Sequence, residues 1–370
     1  MGPADANRLL GAEFSKRGFQ VSLCGLNDPR IAEPAEQKSR IYGVELPTLS
    51  TPHSMAWEER GRVLRTYLDR QKPDWVVFRF IPYSLHPKGI VWSAAASLGQ
   101  VLEDRRVIML MDEIWLGEGP AIFKHRLVGF LQRFSILRLL RRVRPRHVYT
   151  NNRFNTNALC KRGIDAKTLR LFGNIPVISS DQGNWLYGEF SKAGVSISPA
   201  TRSSWLMLGN FGLFHSDWKP DLFLKNLREL ARKYHRNVCI VGIGSLGFYK
   251  DHWEKVAKAW GEDFRFVHLG RRPDFEVSLF LQSVDFGITT NPFYLVGKSG
   301  TCMAMLDHGL PIIVPRISAG DDLAELPANL LLRCGDHPGE EIFAERKRAA
   351  PDPQLARAAE ELMAAMTAQK

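Results

Sequence analysis

Residues Asn291 to Pro315 read NPFYLVGKSGTCMAMLDHGLPIIVP. The stretch predicts a loop at a strand end, then a glycine-containing turn carrying Lys298, Ser299, Gly300 and Thr301. A short helix follows, and Gly309-Leu310-Pro311 leads into a buried apolar strand. Small residues and a hydroxyl at a helix start leave backbone N–H groups pointing outward, and the aligned peptide dipoles favour an anion there. A lysine beside the turn adds a full positive charge, so the guest that fits is a phosphate or diphosphate. The same residues suit equally a helix capped by Ser299 or Thr301 beside a solvated lysine. The rest of the chain has to decide between the two.

Working outward, short β-rich runs alternate with helical periods along the whole chain, which predicts parallel sheets with helices on both faces. Strands are expected at Phe19–Cys24, Trp75–Arg79, Val107–Met111, His147–Thr150 and Thr168–Phe172 in the first half. In the second half they are expected at Trp205–Gly209, Asn237–Ile243, Phe264–His268, Phe286–Thr289, Ile312–Pro315 and Leu330–Leu332. Asn174–Arg202 has no clear period and reads as linker. The predicted domains are therefore 1–180 and 201–352, with 353–370 a terminal amphipathic helix that could pack back on the first domain. The chain opens on Met1-Gly2-Pro3-Ala4-Asp5 directly before a helical pattern, Ala6–Arg17. A glycine loop of that kind ordinarily follows a strand. Either the true start lies upstream or the first sheet lacks a central member.

Composition narrows the function classes. A chain of 370 residues with 45% apolar and 24% charged residues is globular and long enough for two cores. The net charge of +11 implies an acidic partner: a phosphorylated ligand, nucleic acid or an anionic membrane face. Five cysteines lie far apart with no C-x-x-C pair, which argues against a disulfide framework or a structural zinc site. No apolar run approaches 18 residues and no signal-peptide core is evident, so a cytoplasmic protein is expected, one that could lie peripherally on the inner face of the membrane.

Three segments carry a family likeness. Gly2-Pro3-Ala4-Asp5 leads into a helix, Trp205–Gly212 reads WLMLGNFG, and Val277–Thr290 reads VSLFLQSVDFGITT before the Lys298 turn and HGLP. Together they resemble glycosyltransferases of the twin-Rossmann, or GT-B, architecture, and in particular the bacterial retaining enzymes of glycosyltransferase family 4 (group 1). The resemblance implies an α/β fold of two Rossmann-like domains facing a central cleft. It also implies transfer of a sugar from a nucleotide-activated donor to a glycan or lipid-linked acceptor in cell-surface polysaccharide biosynthesis. Such a hexosyltransferase would need no metal and no cofactor, the nucleotide sugar being a substrate. The alternative is a non-catalytic partner subunit of the same fold that binds a sugar nucleotide or glycan. Two departures are visible. The positions matching a glutamate pair common in that family are Val296 and Ala304, and where some relatives have a histidine this chain has Asp112-Glu113-Ile114-Trp115.

Residues at carboxyl ends of predicted strands are the site candidates. Gly209, Asn210 and Gly212 follow a strand and would let backbone approach a phosphate; a plain βα turn reads the same way. His215, further along that loop, is expected to be solvent-exposed. Gly242-Ile243-Gly244-Ser245-Leu246-Gly247 matches G-x-G-x-x-G after a strand but lacks a clean βαβ unit with an acidic residue about 20 positions on, so a nicotinamide site fits poorly and a sugar-nucleotide loop fits better. Arg271 follows a strand and could pair with a diphosphate, as could Lys298 with Ser299, Gly300 and Thr301. Asp112 and Glu113 are the candidate base for the acceptor hydroxyl, with Gly2 and Asp5 as an acceptor-side loop. No D-x-D occurs to bridge a diphosphate through metal, and adjacent Asp321-Asp322 does not replace one.

Lys124–His147 holds eight Lys/Arg and no acid. On a helical wheel Val128, Ile136, Leu139, Leu140 and Val143 share one face. Leu127, Phe130, Leu131, Phe134 and Leu137 share the other with most of the arginines. This is the pattern of a helix on anionic lipid, or of a doubly buried helix whose arginines snorkel. No aromatic-basic platform or helix-turn-helix accompanies it, so nucleic acid is not expected.

Overall fold

The alternating apolar runs fold into two α/β units in the computed structural model, which describes residues 3–116, 123–178, 184–317, 326–344 and 348–368. One unit comprises Met1–Arg170 with Leu355–Lys370, the other Leu171–Gln354. Gly2 and the Asp321-Asp322 pair lie outside the described residues.

The first unit runs α1 (Pro3–Lys16), β1 (Leu23–Asp28), β2 (Ala35–Ile41), β3 (Val44–Pro52), α2 (Trp57–Gln71), β4 (Val76–Phe80), α3 (Pro82–Leu85) and α4 (Trp92–Leu102). It continues with β5 (Val107–Met111), α5 (Phe123–Val143), β6 (His147–Thr150), α6 (Arg153–Cys160) and β7 (Ala166–Thr168). Its strands form a parallel sheet, β4-β5-β6-β7, and a three-stranded sheet, β1-β3-β2. The hairpin β2–β3 was not predictable from hydrophobic period, because β2 is polar and mostly exposed. It closes through Tyr42 and Gly43, both at positive φ (47° and 86°), the backbone that two-residue hairpins require. The strand expected at Phe19–Cys24 begins only at Leu23, and the one expected at Thr168–Phe172 begins at Ala166.

The core of this unit lies between β5, whose five residues are all buried, and the helices α4 and α5. Ile136, Leu139, Leu140 and Val143 of α5 pack inward, while Leu127, Phe130 and Phe134 stay exposed. Among the described residues, that outer side of the helix is at least half open to solvent at Leu127, Phe130 and Phe134.

The second unit runs α7 (Asn184–Lys192), β8 (Trp205–Phe211), α8 (Asp221–Lys233), β9 (Asn237–Ile243), α9 (Lys250–Trp260), β10 (Arg265–His268) and α10 (Asp274–Ser283). It ends with β11 (Phe286–Ile288), α11 (Gly300–Asp307), β12 (Ile312–Val314) and β13 (Leu331–Arg333). All six strands are parallel, in the order β10-β9-β8-β11-β12-β13. The segment read as linker contains α7, whose Leu186 and Phe190 are buried. Nine residues spanning two and a half turns carry too little period to stand out. Helix α12 (Gln354–Thr367) groups with the first unit, where Arg17 pairs with Glu360 at 3.0 Å and the His147 Nε2–H donates to Ala365 O at 3.0 Å.

The second core holds a pH-sensitive member. His308, at the end of α11, is fully buried. Its Nδ1–H donates to Ala304 O at 2.7 Å, so Nε2 accepts from the Ser278 hydroxyl at 2.8 Å. Burial pushes its pKa down from 6.5 to about 4. Between those values the unfolded chain binds a proton that the folded chain refuses. Stability therefore rises with pH through this window and is lost on acidification, by about 3 kcal/mol. Urea unfolding at pH 7 and pH 4.5 should show this loss, and His308→Gln should lack most of it; equal pH dependence in both proteins would refute the assignment.

Candidate functional site

In a parallel α/β sheet the loops at the carboxyl edge gather backbone N–H groups and side chains over the strand ends. In the second unit the turn after β8 meets the start of α11 and the turn after β9, while the loop after β11 reaches both the start of α11 and Arg316 after β12. Gly212 has φ +92°, and a Cβ on it would sit 3.2 Å from Thr301 Cγ2. Gly244 has φ +100°, and a Cβ there would lie 3.3 Å from Gly212 N. The two turns thus touch each other and the helix start, a closeness and a backbone conformation that favour glycine.

At the head of α11 the capping reading and the anion-site reading coexist. Ser299 is the N-cap, its Oγ accepting from Cys302 N at 3.3 Å. That satisfies one first-turn donor. Helix geometry gives the N–H groups of Gly300 and Thr301 no acceptor within the helix. Asn291 Nδ2 donates to Ser299 Oγ at 3.3 Å, and the Thr301 hydroxyl lies 3.0 Å from it. Lys298 ends a 3-10 segment, Phe293–Lys298, and is half-buried rather than fully solvated.

The neighbouring loop supplies groups that the sequence did not single out. The Thr290 hydroxyl accepts from His215 N at 3.0 Å, and Arg316 Nη1 donates to Thr290 O at 3.0 Å. His215 is half-buried, not exposed as expected, with its ring 4.8 Å from that of Tyr249. Burial first, and then the nearby Arg316 guanidinium, lower its pKa, which favours the neutral ring at physiological pH. Arg316 follows the carboxyl end of β12, and that position was the available signal.

Other candidates separate from this cluster. Gly209 and Asn210 sit within β8, which runs two residues longer than expected. Gly209 faces the core, where a Cβ would meet Phe280 and Val284 at 2.9 Å. Asn210 is buried and donates to Ile288 O at 3.2 Å. Both are strand-packing residues, and the loop proper starts at Gly212. Arg271 is exposed after β10, an edge strand two removed from β8. Its neighbour Arg272 is paired with Glu189 and Glu276. Val296 and Ala304, the positions that the sequence resemblance matches to a glutamate pair, are completely buried.

In the first unit Asp112 follows β5 at the carboxyl edge. Arg79 Nη1 lies 3.1 Å from its carboxylate, while Arg79 Nε donates to Asn7 Oδ1 at 3.0 Å. Glu113 beside it is exposed, and Asp5, half-exposed, pairs with Arg8 at 3.3 Å. Among the described residues no group of three His, Cys, Asp or Glu side chains could hold a metal ion. Among the same residues, no helix is long and apolar enough to cross a membrane.

No protein-family model matches the chain, and no curated protein matches it by sequence. Its fold has clear counterparts. The UDP-GlcNAc 2-epimerase of Methanocaldococcus jannaschii is similar with a TM-score of 0.56 at 10% identity, over 98% of this chain and 96% of the other. The UDP-GlcNAc 2-epimerase of Neisseria meningitidis, solved bound to UDP-GlcNAc, is similar with a TM-score of 0.55 at 10% identity, over 99% and 97%. Anabaena Alr3699/HepE, solved with UDP and glucose, reaches 0.49 at 14% identity over 86% and 82%.

The chain therefore has the twin-Rossmann GT-B architecture. The two strongest of these likenesses are to epimerases, so the shared fold is established. The resemblance to family 4 transferases is one of sequence motifs, and none of these likenesses singles out that family.

Proposed function

We propose that this chain is an enzyme of nucleotide-activated sugars, and that it transfers the sugar of a uridine diphosphate donor to a glycan or lipid-linked acceptor. The observation that carries the reading is the meeting of Gly212, Gly244 and Thr301 at the carboxyl edge of the second sheet. Gly212 and Gly244 donate their own N–H groups to Ile243 O and Gly270 O, so the donors this reading assigns to a diphosphate are the first-turn N–H groups of α11 and the Ser299 and Thr301 hydroxyls, with Lys298 and Arg316 as the cations. The fold's likeness to an epimerase solved bound to UDP-GlcNAc supports the choice of nucleotide.

In this reading Gly300 and Thr301 N–H, with the Ser299 and Thr301 hydroxyls, hold the leaving diphosphate. Lys298 and Arg316 neutralise the charge that develops on it. Gly209 and Asn210 shape the strand beneath, and Arg271 stays peripheral. Neutral His215 can donate a hydrogen bond to the donor. Asp112, steadied by Arg79, or Glu113 takes the acceptor proton. Asp112→Asn should lower turnover by about a hundredfold or more while Glu113→Gln, at an exposed position, has little effect. The reverse ranking would give Glu113 the role of base.

A second reading is favoured by the whole-chain likeness to 2-epimerases: inversion of a carbon of the bound UDP-sugar with no acceptor. One experiment separates the readings. The purified chain is incubated with UDP-GlcNAc and UDP-glucose, with and without a lipid-phosphate acceptor, and products are followed by NMR. Acceptor-dependent UDP release supports transfer, and an epimeric UDP-sugar formed without acceptor supports the second reading. Binding with neither product would leave a non-catalytic binder, and no binding would overturn the proposal.

A further inference from the structure

The first unit carries a surface that sugar-nucleotide chemistry at the second unit does not use. Helix α5 spans 21 residues, about 30 Å of continuous helix. Its inner side is buried, but Leu127, Phe130 and Phe134 are each half or more exposed, at 58%, 53% and 50%. At about 100° per residue these three share an arc of roughly 80° with Arg138 and Arg141. Trp92, itself 40% exposed, packs on Phe134 with ring centroids 5.2 Å apart. Arg133 lies over the Phe130 ring at 5.6 Å. Arg142, off this face, pairs with Glu103 at 3.0 Å.

The same face runs into a cavity of about 360 Å³ at the amino edge of β6 and β7, the edge opposite Asp112. Leu137 and Arg141 of α5 belong to its wall. Arg144, Arg146, Arg162 and Lys167 add four more cations, and Asp165 is the single carboxylate that lines it. Five cations against one acid define a site for a phosphate-bearing group. A phosphate site that opens beside a strip of exposed aromatic and aliphatic side chains matches a surface offering both chemistries at once. An anionic bilayer does so: its headgroups meet the cations and its acyl boundary meets the apolar strip.

We infer that the first unit docks on an anionic phospholipid bilayer through the outer face of α5, with a lipid phosphate held in the basic cavity at its carboxyl end. The helix lies in the plane of the interface. Phe130, Phe134 and Leu127 enter the acyl boundary while Arg138 and Arg141 stay at headgroup level. This inference stands independently of the reaction at the second unit.

The test is flotation of the full chain with vesicles of phosphatidylcholine alone and of phosphatidylcholine with phosphatidylglycerol. The wild-type chain should float with the anionic vesicles and not with the neutral ones. Phe130→Ser with Phe134→Ser, and separately Arg141→Gln with Arg144→Asn, should each weaken that binding about tenfold or more. All four residues are exposed, so both variants should still fold, which a cooperative melting transition for each would verify. Failure to float, equal flotation on both vesicle types, or wild-type binding by the phenylalanine pair would each overturn the inference. So would stabilisation by soluble glycerophosphoglycerol without flotation, which marks a free-phosphate site. A dimer that disappears in the phenylalanine pair, again without flotation, would identify a self-association face instead.

Discussion

A Lys298→Ala protein should melt like the wild type in buffer and lose about half or more of its melting shift with the cognate nucleoside diphosphate sugar. The wild type, at ligand about 100 times its dissociation constant, gains roughly 2.7 kcal/mol of stability. A hydrogen bond to a charged group contributes about 1.5–3 kcal/mol, so removing the ammonium should weaken binding about 10- to 150-fold. The structural cost is small, because Lys298 closes a 3-10 segment on the surface side of α11 and Ser299 continues to cap the helix. Thr301→Val is the companion variant. It keeps the volume beside Gly212 and removes the hydroxyl, so it should weaken binding less than loss of the charge does. An unchanged shift in Lys298→Ala would remove this lysine from the site and leave Arg316 as the principal cation.

The largest expected effect on stability is at Gly309. This residue ends the helix turn after α11 with φ +66°, and a Cβ there would lie 2.3 Å from Ala349 O and 2.9 Å from Ala349 C. Those are backbone atoms, so no side-chain rotation relieves the contact. Gly309→Ala should cost about 1–2 kcal/mol for the left-handed backbone and about 1–3 kcal/mol for the displaced segment. Gly270→Ala is the control, since it has φ +70° with nothing within 4 Å. It should cost only the backbone term. Thermal unfolding of the two variants side by side separates strain from crowding, and equal losses would contradict the predicted contact.

The predicted path through Asn291–Pro315 is legible because several local signals agree there. Ser299 is a cap residue, Gly309 supplies positive φ at the helix end, and Ile312-Ile313-Val314 is a continuous apolar run of the kind that parallel strands show. The strands Val107–Met111, His147–Thr150 and Asn237–Ile243 were readable to the residue for the same reason. The hairpin β2–β3 was not. Its strands are held by ladder hydrogen bonds that any sequence can make, and its polar face carries no period of burial.

At the site the sequence located the helix start and the glycine turns, since glycine at positive φ and a hydroxyl cap are local requirements. It could not separate Gly209, which packs against Phe280 and Val284, from Gly212, which touches Thr301, because that difference depends on where β8 ends. Nor could it rank Arg316 over Arg271. Each follows a strand, but the sheet order puts β12 next to β11 and leaves β10 at an edge. Composition and local pattern fixed the alternation of strand and helix, the cap at Ser299 and the one-sided charge of α5. Strand order, the burial of His308 and the meeting of Gly212, Gly244 and Thr301 came only from tertiary structure, because each depends on contacts between segments far apart in the chain.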